Sequence, residues 1–427
     1  WTQDAEAPPW WAQFNLGEEF LYRSANNPLV IIFWARLPMI TLTLFLGAFL
    51  FFWARKLLGN TAALAVLALY AFSPNFLAHG RLVTTDVPAT FGILIAIYFW
   101  IEFLKQPKGA KIFKAGLALA LALLFKFSAV LLLPFFAVIT LVYAFVNPFS
   151  SGRVHSIAKY AVLSLLCGLV ALAVIVPVYQ LHILNYPAER QVRDTISDLQ
   201  PGGIAAYEQA VIWMADPLRS EASKPLFRPL AQFAHGILMA TQRGQFGNTV
   251  FFLGEIKAGG WWYYFPVMYV FKMPLAFHLL TLLGIFGVLW SIKKQWLKKH
   301  FVFFSFAVFI GIYFLVAIFG NLNIGVRHLL PTFPLLFILV MWGIKEIVSR
   351  INSARAKRKI LIAIILLFVS YVGSSLAVFP HYISYYNEFT GAENGYQVAV
   401  DSNYDWGQDF YRLLEFVKEN KIEKLRL

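Results

Sequence analysis

The chain has 427 residues, of which 59% are hydrophobic and 17% aromatic but only 14% charged, and its mean hydropathy is +0.64. That balance is too apolar for a soluble domain and reads as a polytopic membrane protein. The net charge of +14 does not point to nucleic acid, because the Lys and Arg residues fall in short links between apolar runs, where membrane orientation accounts for them.

In chain order, residues 1–36 offer Asp4, Glu6, Glu18 and Glu19, and Gly17-Glu18-Glu19-Phe20 reads as a solvated face. Runs long enough to cross roughly 30 Å of hydrocarbon at about 1.5 Å per residue lie near 37–54, 61–78, 87–104, 160–181, 271–292, 301–319, 329–348 and 360–379. The run 115–147 is too long for one span, has Lys126 near its middle and Pro134 soon after, and reads as two short helices turning at Lys126. The fold class expected is therefore an all-α membrane bundle with ten visible spans. Cys167, alone in an apolar run, excludes an internal disulfide and reads as packing.

Basic clusters at Arg55-Lys56, Lys105–Lys114, Arg153–Lys159, Lys293–Lys299 and Arg350–Lys359 occupy alternate links, which places those links in the cytoplasm. The other set faces outward: residues 1–36, the Asp86 loop, the Lys126 turn, the stretch 182–265, the loop Asn321–His328 and the tail after Pro380. A transporter would place its polar groups near the midplane, often on broken helices in two related halves. Here they gather at one face, and no internal repeat is visible.

His79-Gly-Arg81-Leu-Val-Thr-Thr-Asp86-Val-Pro sets an arginine and a carboxylate between two uncharged runs. Asp86 reads either as a site carboxylate or as a helix cap, and Arg81 as a site cation or an interfacial anchor. Lys126, between Phe125 and Phe127, needs water, a headgroup or an anionic ligand, and phosphate is its natural partner. Arg327-His328, ahead of Pro331, adds a cation suited to phosphate on the same face. Glu255, a glycine stretch and Trp261-Trp262-Tyr263-Tyr264 precede a span, so the aromatics read as a belt or as sugar-stacking groups. Ile212, Trp213 and Met214 are expected to make buried contacts in the long outer stretch.

Arg81-Leu-Val-Thr-Thr-Asp86 resembles the Arg-x-x-x-x-Asp of protein O-mannosyltransferases and their bacterial relatives, GT-C glycosyltransferases that use polyprenyl-phosphate sugars. Gly116 through Lys126-Phe-Ser, Gly254-Glu255 through Tyr263-Tyr264-Phe-Pro266 to Lys272-Met-Pro274, and Gly325-Val-Arg327-His328-Leu-Leu-Pro331 look like that family's segments in order. Asp401-Ser-Asn-Tyr-Asp405-Trp-Gly-Gln-Asp409 looks like the start of its external C-terminal region.

The resemblance implies a multi-pass enzyme of the bacterial inner membrane. It would transfer a hexose such as mannose, with inversion, from a polyprenyl-phosphate carrier to a protein, lipid or glycan hydroxyl on the outer, periplasmic side. Asp86, Arg81 and Glu255 would be catalytic, Lys126, Arg327, His328 and Lys272 would hold the donor phosphate, and Tyr263, Tyr264 and His79 would contact substrate. No cofactor is implied, and a divalent metal, which some GT-C enzymes use, has no ligand cluster of firm spacing here. The alternative is a transporter or flippase of lipid-linked sugars.

The resemblance also implies an acidic pair after a first span, carrying the general base, and that pair is absent. The chain opens on Trp1 and stops at Leu427 as a new polar region begins. It is expected to lack one of eleven spans, to have its base upstream of Trp1, and to be inactive as it stands. The domains expected are a transmembrane domain over 1–379, with an outer loop at 182–262, and the beginning of an external region over 380–427. An amphipathic helix is expected from about Asp405 to Asn420.

Overall fold

The computed structural model describes residues 9–199 and 227–425. Ile212, Trp213, Met214, Asp4 and Glu6 lie outside the described residues. The described chain is almost entirely helical, and the strands within it form one two-stranded antiparallel hairpin, Thr249–Phe252 with Glu255–Ala258. Among the described residues seven helices are long and apolar enough to cross a membrane, or eight if one bent pair counts as a span. A polytopic all-α membrane protein is what this architecture amounts to.

The expected spans and the observed helices differ where proline or a buried cation intervenes. The run near 61–78 is two short helices, Asn60–Ala71 and Pro74–His79, because Pro74 cannot donate a hydrogen bond into a continuing helix. The run near 271–292 is Tyr264–Lys272 followed by Leu275–Ser291, bent by 110° around Pro274. The run 115–147 does break at Lys126: one helix covers Gly109–Phe125, a tight 3-10 turn Phe127–Leu131, and a second helix Leu132–Val146. The amphipathic helix of the tail starts later than expected, at Phe410, since Asp405–Gly407 forms a turn with Gly407 at φ +75°.

The described chain divides into two compact units. The first comprises Trp1–Leu46, Arg81–Phe246 and Gln295–Ile312. Its helices approach closely through small residues, as membrane helices must when no hydrophobic effect drives them together. A Cβ on Gly92 of the Asp86–Lys105 helix would lie 2.9 Å from the Ala122 Cα, and one on Gly116 would lie 2.5 Å from the Cys167 carbonyl. Cys167 itself is fully buried in the Arg153–His182 helix. Trp100 adds a hydrogen bond to the Thr140 hydroxyl at 3.0 Å and stacks on Phe136.

The second unit comprises Gly47–Gly80, Gly247–Lys294 and Tyr313–Leu427. The Leu275–Ser291 and Phe333–Arg350 helices touch at Gly284, Gly287 and Gly343, where a Cβ on Gly287 would lie 2.0 Å from the Gly343 carbonyl. The segment after Pro380 belongs to this unit.

Candidate functional site

In the first unit, Asp86 begins the Asp86–Lys105 helix, with Pro88 tolerated in the first turn. Its carbonyl accepts from the Thr90 hydroxyl at 2.8 Å. Lys126 stands where the Gly109–Phe125 helix ends, in extended backbone at φ −161° and ψ 136°. That break turns its side chain to Asp86, and the Lys126 Nζ lies 2.5 Å from the Asp86 Oδ1. The Asp86 side chain is 1% exposed and that of Lys126 22%. The pair is thus a buried carboxylate neutralised by an ammonium that still reaches the surface. Breaking such a pair by removing one partner costs about 3–5 kcal/mol, because the remaining charge stays buried.

The helix Arg228–Phe246 supports the Lys126 turn. Gly236 in the Arg228–Phe246 helix faces the Phe127 ring so closely that a Cβ there would lie 2.2 Å from it, and Phe233 packs on the same ring. Arg81 lies half-buried in the turn five residues before Asp86.

The second unit holds a different cluster. Arg327 sits in the 3-10 turn Val326–Thr332, where its Nε donates to the Ser402 Oγ at 3.1 Å. Its guanidinium lies 4.2 Å from the centroid of the Trp406 ring, within cation–π range. The buried His79 ring meets the same indole at 6.4 Å between centroids. His328 follows Arg327 in that turn, half-buried. The close approach of the two segments requires Gly325, at φ +148°, where a Cβ would lie 2.3 Å from the Ser402 Oγ.

Asn403 organises this cluster. Its Oδ1 accepts from the Val326 amide at 2.9 Å, its Nδ2 donates to the Tyr264 hydroxyl at 2.8 Å, and its carbonyl accepts from the Lys272 Nζ at 2.7 Å. Lys272 also donates to the Ile383 carbonyl at 2.7 Å and the Tyr385 carbonyl at 2.5 Å. All three N–H bonds of an ammonium are therefore occupied, and the residue is 2% exposed.

Two of the expected site residues are engaged within the fold. Lys272 spends its three donors on main-chain carbonyls and binds the tail to the bent helix pair. Tyr264 is 1% exposed and hydrogen-bonded to Asn403. Tyr263 stays half-buried beside Phe252 and Trp262. Glu255 is exposed at the start of the second strand, beyond a two-residue hairpin turn of Leu253 and Gly254 at φ 50° and 88°. Glu18 is exposed and pairs with Arg23 at 2.8 Å, as a solvated face would.

Trp406, Ser402 and Asn403 are the residues that sequence reasoning passed over. Their signal was available in the stretch Asp401–Asp409, where a tryptophan stands with two side-chain amides, Asn403 and Gln408. Among the described residues no three His, Cys, Asp or Glu side chains come together as a metal-ligand group.

Residues 30–180, which include Arg81, Asp86 and Lys126, match the family model of the dolichyl-phosphate-mannose-protein mannosyltransferases. A protein of Aquifex aeolicus (strain VF5), described only as an uncharacterized protein, is 36% identical over 95 residues. That alignment covers 22% of this chain and 19% of the relative's length.

Proposed function

We propose that the chain is the membrane portion of a glycosyltransferase that moves a hexose, such as mannose, from a polyprenyl-phosphate carrier to an acceptor hydroxyl on the outer face of the bacterial inner membrane. The observation that carries this reading is the buried Asp86–Lys126 pair at the start of a membrane helix, inside the segment similar to the mannosyltransferase family. A lipid-phosphate donor needs a cation at the membrane edge, and Lys126 has one face toward the surface and one toward Asp86.

In the proposed reaction the acceptor oxygen attacks the anomeric carbon from the side opposite the phosphate. The carbon–oxygen bond to the carrier phosphate breaks with its electron pair leaving on the phosphate, and the acceptor proton passes to a carboxylate. Lys126 stabilises the departing phosphate. Asp86 positions that ammonium. Arg81 carries a supporting role in the same unit. In the second unit Arg327 and His328 offer cations for phosphate, and Trp406 and His79 a ring surface for sugar. Glu255 and Tyr263, on the outer hairpin and the turn after it, are assigned to the acceptor. The acceptor itself is a protein, lipid or glycan hydroxyl.

The test is turnover of a radiolabelled polyprenyl-phosphate hexose by the full-length protein in bacterial membranes, beside Lys126→Ala and Asp86→Asn at matched expression. Release of carrier phosphate by the parent and its loss in both variants supports the reading. Movement of intact donor across the membrane without release would make the protein a transporter of lipid-linked sugar.

A further inference from the structure

The second unit contains an apolar groove of about 1180 Å³ that the proposed reaction does not use. Ala65 and Ala68 form one wall, Ile344 a second, and Ile365, Phe368 and Val372 a third. One end is polar and basic: Asn60, Thr61, Ser349, Lys345 and Lys357 line it. Arg355, Arg358 and Lys359 follow in the same helix start.

We propose that this groove binds an anionic phospholipid, with the headgroup phosphate at Lys357 and an acyl chain along the apolar walls. Three features select that occupant. The first wall runs from Gly59 to Ala68, about 14 Å of helix at 1.5 Å per residue, which is the depth of one leaflet of a hydrocarbon core roughly 30 Å thick. The Tyr371 hydroxyl, donating to the Leu69 carbonyl at 2.7 Å, ties the walls together just beyond that depth. The charge at the mouth suits an anionic headgroup. Lys345 spends one of its three donors on the Leu58 carbonyl at 2.9 Å, and the exposed Lys357 ammonium lines the same end of the groove. Basic pockets between membrane helices bind anionic headgroups on these terms.

Native mass spectrometry of the full chain, equilibrated in detergent with equal amounts of phosphatidylglycerol and phosphatidylcholine, tests the site. The parent is expected to retain one phosphatidylglycerol in preference to phosphatidylcholine. Lys357→Glu should lose that preference by about tenfold, and Lys359→Glu, outside the groove, should keep it. Ala65→Trp should fill the groove and release lipid while the unfolding temperature holds. No preference in the parent, equal losses in Lys357→Glu and Lys359→Glu, or lipid retained by Ala65→Trp would each overturn the proposal. So would an Ala65→Cys variant that resists maleimide after delipidation, because a protein segment would then fill the groove.

Discussion

The Lys126 ammonium lies 2.5 Å from the Asp86 carboxylate across two helix ends separated by 40 residues of chain. Lys126 is thereby held at a buried carboxylate rather than extended to a headgroup. At this pair a buried charge and a partly exposed cation coincide.

A double-mutant cycle separates structure from chemistry at this pair. Lys126→Met and Asp86→Asn should each destabilise the purified protein by about 3–5 kcal/mol, and the double variant by less than either. Carrier-phosphate release should be lost in all three. Recovery of stability without activity is the result expected of a working pair; recovery of both would make it purely structural.

Lys272→Met is expected to act on folding, not on donor affinity. Three main-chain carbonyls lose their donor, and each orphaned buried group costs about 1–3 kcal/mol. The variant should show a sharply lower unfolding temperature and poor recovery from membranes. A folded Lys272→Met protein with weakened donor binding would restore the phosphate role to this residue.

Arg327→Lys keeps the charge but loses the planar stack on Trp406 and the fixed fork that phosphate accepts. The expected effect is a fall in carrier-phosphate release of about tenfold or more, consistent with a lost charged hydrogen bond, with little change in unfolding temperature. Trp406→Ala should raise the donor concentration needed for half-maximal release. Unchanged kinetics in both would remove this cluster from the reaction.

Gly236→Val should disturb the Lys126 turn from a distance. The new side chain would collide with Phe127, next in sequence to Lys126, and overpacking of this kind costs about 1–3 kcal/mol. Cysteine labelling at residue 126, made in parallel with and without the Gly236 change, should become faster in the Val variant. Equal rates would show that the turn does not depend on this helix.

Asp198 and His235, 3.6 Å apart, give the helices Ala188–Asp198 and Arg228–Phe246 a pH dependence. Burial, and then the charge of Asp194, pushes Asp198 up from 3.8 to about 6. Burial pushes His235 below 6.5, against the opposing pull of Asp194. With Asp198 raised, the fold keeps a proton that the unfolded chain releases, so that contribution falls as pH rises from about 3.8 to about 6. With His235 lowered, the unfolded chain binds the proton more readily, so that contribution grows as pH rises toward 6.5. The slopes oppose each other, and Asp198→Asn leaves the imidazole slope alone. Its unfolding temperature should climb more steeply than the parent's between about pH 5 and about pH 7; parallel profiles would exclude this coupling.

The sequence by itself determined the membrane class, the helical architecture, the break at Lys126 and the helix beginning at Asp86. Those features rest on local rules: long uncharged runs must satisfy their backbone internally as helices, and a charge in such a run forces a turn or a partner. The interruptions near Ser73-Pro74 and Pro274 were equally local, and proline marks both, yet hydropathy ran through them because it takes no account of a missing donor. Only the tertiary structure decided that Lys126 pairs with Asp86, that Lys272 and Tyr264 belong to the core, and that Trp406 and Ser402 meet Arg327. Those are contacts between residues 40 to 139 positions apart, where the side-chain type is the same for a phosphate ligand and for a structural donor. What separates the two is how many of the donor's hydrogen bonds the fold has already taken.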